Sequence, residues 1–252
     1  AIIVGVRQRG WWLLSLGVFL SIWALTHTTF LTNPEGVATG FWQSLGYWVV
    51  QQGVARGDQP WYYYFIIVST YEFLPFSLAI IGGLYYFFMG SAFTRFLILW
   101  SILTFLLYTI AGEKMPWLIV NIALPLIILG GKFLGDLIDG IYWKYSTARG
   151  GILYFIFVPL FVYLLARVLF FQGDAIGILF LGIALIMVGW AIINLYANTG
   201  LGLGIRLSAL AMVVVLSVLT LRVGFQATYA HSDIPVEMLV YTQTSPDVTR
   251  IS

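Results

Sequence analysis

Two short motifs set charged side chains into otherwise apolar and aromatic sequence. The first is AGEKMPWL, residues 111–118, where Glu113 and Lys114 are followed at once by Pro116 and Trp117. A proline suits the first turn of a helix, where its missing N–H costs little. The free N–H groups of that turn, together with Lys114, would make an anchor for a phosphate. The same residues also read as a turn at a membrane surface, with the lysine head reaching for water and the tryptophan as an anchor. The second motif, ARGDQPWYYY at residues 55–64, places Arg56 and Asp58 ahead of an aromatic run that includes Tyr63. A third signal is Glu72 in STYEFLPF, with Pro75 close behind. An ionisable side chain inside an apolar helix is costly and usually faces a cavity or a partner. Glu72, with Tyr63, is therefore expected to line a cavity; the alternative for Glu72 is a hydrogen-bonding structural acid.

The other polar residues are less promising. His27 and His231 are the only histidines and lie far apart, so they suggest no metal cluster. Asp136 and Asp139 share a helix face with Lys132 and read as a solvated surface. GLGLG at 200–204 lacks the strand-then-helix setting of a nucleotide loop and reads as a turn. Gly131 and Gly135 have the small-xxx-small spacing of close helix contacts. Cysteine is absent, which excludes disulfides, thiolate metal sites and a cysteine nucleophile.

These residues must be positioned by membrane-spanning helices. Hydrophobic residues make up 61% of the chain and charged residues 9%, with mean hydropathy +0.95; soluble chains are about 25% charged. The net charge of +2, spread along the chain, argues against nucleic acid as a partner. A bilayer core needs roughly 20 apolar residues per helix, and seven stretches qualify: 11–31, 62–89, 93–111, 116–138, 152–171, 175–196 and 205–226. The segment 32–60 is too polar to span and is expected to form an interfacial helix, with Phe41, Leu45, Trp48 and Val49 at helical spacing and Gln43, Gln51 and Gln52 between them. With the N-terminus in the cytoplasm, seven Lys and Arg side chains fall inside and five outside, in the sense of the positive-inside bias. The expectation is an all-α polytopic protein of the plasma membrane. Residues 1–226 form its transmembrane domain, and residues 227–252 form an extracytoplasmic tail that opens a soluble region. In the tail, residues 238–241 are expected to begin a strand and Ser245-Pro246-Asp247 to cap a helix.

QPWYYY opening a span, a proline further along it, and EKMPWL ahead of NIALPLIILGG resemble the membrane glycosyltransferases of the GT-C superfamily. The similarity is to the protein O-mannosyltransferase and aminoarabinose transferase group, and more closely to the flippase-activity-associated glycosyltransferase-like branch. The tail, DIPVEMLVYTQTSPDV, resembles the start of that branch's soluble domain. The resemblance covers most of residues 40–135 and the tail. It implies transfer of a sugar from a polyprenyl-phosphate donor at the extracytoplasmic face, with Arg56, Glu113 and Lys114 lining the phosphate site. No cofactor is evident; a divalent metal is implied by the resemblance alone, without a ligand cluster in this chain. The superfamily's catalytic aspartate sits in a first outer loop, and here that loop offers only Glu35 and Asp58. The chain is therefore read as the C-terminal part of a membrane domain whose catalytic end lies elsewhere. Two other function classes remain: a structural subunit packed among other membrane subunits, and a factor that translocates lipid-linked sugars.

Overall fold

The computed structural model describes residues 9–54, 59–231 and 237–240. Among these residues the regular structure is helical, without a strand. The chain divides into two units, Ala1–Asp58 with Ala111–Lys114, and Gln59–Ile110 with Met115–Ser252. Six helices are long and apolar enough to cross a membrane, or seven if one bent pair is counted as a single span.

The smaller unit pairs α1 (Arg9–His27) with α2 (Gly36–Val54). The turn between them holds three consecutive non-glycine residues, Thr29, Phe30 and Leu31, at φ 51°, 55° and 69°. Left-handed backbone costs such residues about 1–3 kcal/mol each. Thr28 offsets part of this: its hydroxyl donates to the Ala24 carbonyl at 2.6 Å and accepts the Leu31 N–H at 3.0 Å. The helices meet where side chains are absent, since a Cβ on Gly36 would lie 1.9 Å from the His27 carbonyl oxygen, and one on Gly40 would strike the His27 ring. The predicted interfacial segment is thus helical. Phe41, Leu45, Trp48 and Val49 are all exposed, as lipid-facing groups would be, whereas Gln51 is buried.

In the larger unit, α3 (Tyr63–Tyr71) and α4 (Phe73–Met89) are bent by 103° at Glu72. The sequence reads as one continuous span here, and Pro75 supplies the physical reason for the break. It has no N–H to give the Tyr71 carbonyl four residues back, and its ring crowds that carbonyl. Pro125 and Pro159, by contrast, lie inside helices that continue through them. Then come α5 (Ala92–Ile110), α6 (Ile119–Asp139), the short α7 (Trp143–Ala148), α8 (Tyr154–Leu169), α9 (Ala175–Thr199) and α10 (Leu201–Phe225).

Helices α4 and α6 run parallel and pack closely. Gly82 lies beneath Phe133, and Gly130 beneath Leu78 and the Pro75 carbonyl. Gly131 and Gly135, the pair whose spacing suggests close contact, face open space instead. The packing stripe is offset from them by a single residue, which on a helix is a different face. One core cluster gathers Tyr64, Ile67, Val68, Leu97, Ile122 and Leu129; a second gathers Tyr154, Leu195, Leu207 and Ala211. GLGLG is mostly helix: only Gly200, at φ 84°, separates α9 from α10.

Candidate functional site

In the smaller unit the end of α2 lies against the turn Ala111–Lys114. The Gln52 side chain makes the junction: its Oε1 accepts the Gly112 N–H at 2.6 Å, and its Nε2 donates to the Trp48 carbonyl at 3.2 Å. Only glycine fits at 112, because a Cβ there would come within 2.3 Å of the Gln52 carbonyl oxygen. Lys114 is 7% exposed, and its Nζ donates to the Ala111 carbonyl at 2.6 Å. A lysine anchored at a membrane surface by its head would leave that head in water, whereas this ammonium is folded into its own turn. Glu113 is partly buried beside it. Arg56 and Asp58 lie outside the described residues. Pro116 opens a 3₁₀ turn leading into α6, as its position after the motif predicts.

Gln51 was legible in the sequence only as one of three amides in a largely apolar helix. It is 7% exposed, and among the described residues its Oε1 has no hydrogen-bond partner. A buried carbonyl without a donor forfeits about 1–3 kcal/mol, and among the described residues the other buried side-chain polar atoms are bonded.

In the larger unit Glu72 lies at the junction of α3 and α4 rather than within a continuous helix, and it is partly buried. Tyr63 is buried, and its hydroxyl donates to the Met238 carbonyl at 3.3 Å. Tyr71, next to Glu72, donates its hydroxyl to Glu237 and accepts the Met238 N–H at 3.0 Å. His231 Nδ1 lies 2.9 Å from the second Glu237 oxygen. Of residues 238–241, expected to begin a strand, 238–240 are described and belong to a turn over 237–240 that is fastened to α3, with the Val240 N–H on the Glu237 carbonyl at 3.1 Å. Residues 241–252 lie outside the described residues. The hydrogen bond from Tyr71, then that from His231, hold the Glu237 carboxyl below the usual glutamate range.

A groove of about 470 Å³ opens among α3, α4, α5 and α6. Phe65, Phe76, Phe87, Phe105, Leu126 and Leu129 line it, and neither Tyr63 nor Glu72 does. Such a lining, apolar apart from Ser101, whose hydroxyl is bonded to the Leu97 carbonyl, suits hydrocarbon.

The opposite end of this unit gathers charge. Asp136 accepts from both Lys132 and the Tyr86 hydroxyl, and Arg206 donates to its backbone carbonyl at 3.4 Å. Arg149 donates to the Asn198 carbonyl at 2.8 Å and covers the Tyr145 ring. Asp136 is therefore tied into a helix junction, which its spacing with Asp139 and Lys132 did not suggest. Among the described residues no three histidine or acidic side chains gather into a set that could hold a metal ion. Compared with family models, curated proteins and solved structures, the chain matches none of them.

Proposed function

We propose that this chain belongs to the membrane part of a glycosyltransferase-like protein and binds a polyprenyl-phosphate sugar donor, with Lys114 as the principal phosphate contact and Glu113 and Arg56 beside it. The observation that carries the reading is the buried Lys114 ammonium, whose described bond is to a neutral carbonyl. An ammonium removed from water calls for an anion, and a flexible head with three donors suits a phosphate entering from the membrane plane. In sugar transfer that ammonium would neutralise charge growing on the departing phosphate. The resemblance implies an acid in a first outer loop that would activate the acceptor, and the proposal here is limited to donor binding. Orientation follows the same reading. Lys132, Lys144, Arg149 and Arg206 belong to one end of the larger unit, which would be cytoplasmic, with the tail outside.

Undecaprenyl phosphate binding to the purified full chain in nanodiscs tests this. Lys114→Ala should weaken it about tenfold or more, as expected for losing a charge-assisted hydrogen bond, while Lys114→Arg retains part of it. Unchanged affinity in the alanine variant, with altered stability instead, would mark Lys114 as a structural lysine.

A further inference from the structure

The short helix α7 connects α6 to α8, two helices long and apolar enough to cross a membrane, so in a bilayer it lies at a membrane face. Its placement is firm: Ser146 is buried beneath Gly151, where a Cβ would come within 2.0 Å of the serine Oγ. Around that buried point the surface is aromatic and basic. Tyr142, Trp143 and Tyr145 are exposed, as are Lys144 and Arg149. Of the cations at this end, two are already engaged. Lys132 is paired with Asp136, and the Arg206 guanidinium sits over Gly140 and donates to the Asp136 carbonyl. Lys144 and Arg149 meet no carboxylate among the described residues. Asp136 and Asp139 are the only acids between residues 114 and 173, so this end stays net positive.

Arg149 is prepared for an anion. Its guanidinium carbon lies 4.2 Å from the centre of the Tyr145 ring, and Nη1 donates to the Asn198 carbonyl at 2.8 Å. These contacts fix the group and use one of its five N–H donors, leaving the others for phosphate oxygens. Exposed tyrosine and tryptophan beside cations belong at headgroup depth, with the rings toward the acyl boundary and the polar tips in water. A free phosphate has no use for those rings, whereas a phospholipid meets both the rings and the cations. We propose that α7 and the α9–α10 connection form a binding site for the headgroup of an anionic phospholipid. Arg149 and Lys144 take the phosphate, and Tyr142 and Trp143 lie against the lipid. The site stands apart from the donor-binding reading, since none of these residues belongs to the Lys114 turn.

Native mass spectrometry of the purified full chain in detergent tests this, with phosphatidylglycerol, phosphatidylcholine and inorganic phosphate as probes. Phosphatidylglycerol should bind about tenfold or more tightly than phosphatidylcholine, as two cations near the membrane surface predict. Inorganic phosphate in large excess should leave it bound. Arg149→Gln should remove most of the preference. Because Arg149 also ties α7 to the α9–α10 connection, Lys144→Gln serves as the second variant; this exposed side chain makes no described bond, and its loss should weaken the preference several-fold. Arg167→Gln, in the last turn of α8 and so at its far end from α7, should leave the preference unchanged. Equal affinity for the two lipids overturns the proposal, as does a preference that survives both variants. A preference reduced as much by Arg167→Gln would be diffuse charge attraction and would also overturn it. Displacement by inorganic phosphate would mark a general anion site and overturn the lipid assignment.

Discussion

Lys114 and Glu237 show how differently two charged residues can be used within one small chain. Lys114 is drawn into its own turn, while Glu237 is reached by three residues, Tyr71, His231 and, through the Tyr71 hydroxyl, the Met238 N–H. The Glu237 network pins the segment after α10 onto α3, and it carries a pH dependence of definite sign. Because the folded-state carboxyl lies below its usual value, docking is fully stabilised above the ordinary glutamate range near pH ~4.3. It weakens as pH falls through the lowered value. Hydrogen exchange at the Met238 amide, corrected for intrinsic rate, should show steady protection from neutrality down to the ordinary glutamate range near pH ~4.3 and progressive loss only below it. Tyr71→Phe removes the donor to Glu237 and the acceptor for that amide, and should speed exchange about tenfold at neutral pH. Equal protection in the two proteins would mean that the tail is held by something else.

Among the helices, the α4–α6 contact separates what periodicity reveals from what only packing decides. The small-residue spacing at 131 and 135 is visible in the sequence, but the close approach uses Gly82 and Gly130. Which of two adjacent glycines faces a partner depends on the rotation of α6, and that is decided by its packing against α4 and α5. Gly82→Val should therefore destabilise the protein by about 1–3 kcal/mol through overpacking against Phe133. Gly131→Ala, into open space, should be neutral or slightly stabilising. Denaturant unfolding in mild detergent checks the pair, and equal effects would contradict the packing described. The bend at Glu72 teaches a related lesson. Hydropathy sees residues 62–89 as one apolar run, whereas Pro75 removes the one hydrogen bond that would have kept the helix whole. The proline was legible and its effect was not, because Pro125 and Pro159 interrupt nothing. Of the candidate site, the Lys114 turn could be read from charge placed within apolar sequence. The orphan oxygen of Gln51 could not, since an amide's burial is a property of tertiary packing.

For the molecule as a whole, the helices divide their polar groups between two ends: Lys132, Asp136, Arg149 and Arg206 at one, and Tyr71, His231 and Glu237 at the other. In the proposed orientation the basic end faces the cytoplasm. A cysteine introduced at Lys144, within α7, should be labelled by an impermeant thiol reagent only in inverted vesicles. A periplasm-active reporter fused after Ser252 should be active in intact cells. The opposite pattern for both would reverse the orientation, and with it the side on which a donor could be held.

The single-residue connection at Gly200 has a consequence for biogenesis. Helices α9 and α10 have 25 residues each, about 37 Å apiece at about 1.5 Å per residue. The turn is closed within the pair, with the Gly200 N–H on the Tyr196 carbonyl at 2.8 Å and the Gly204 N–H on the Gly200 carbonyl at 3.0 Å. No length of chain is left that could wait in water while one helix settles before the other emerges from the ribosome. The two would therefore leave the insertion machinery together, so that Gly200 governs whether this pair of crossings is made at all.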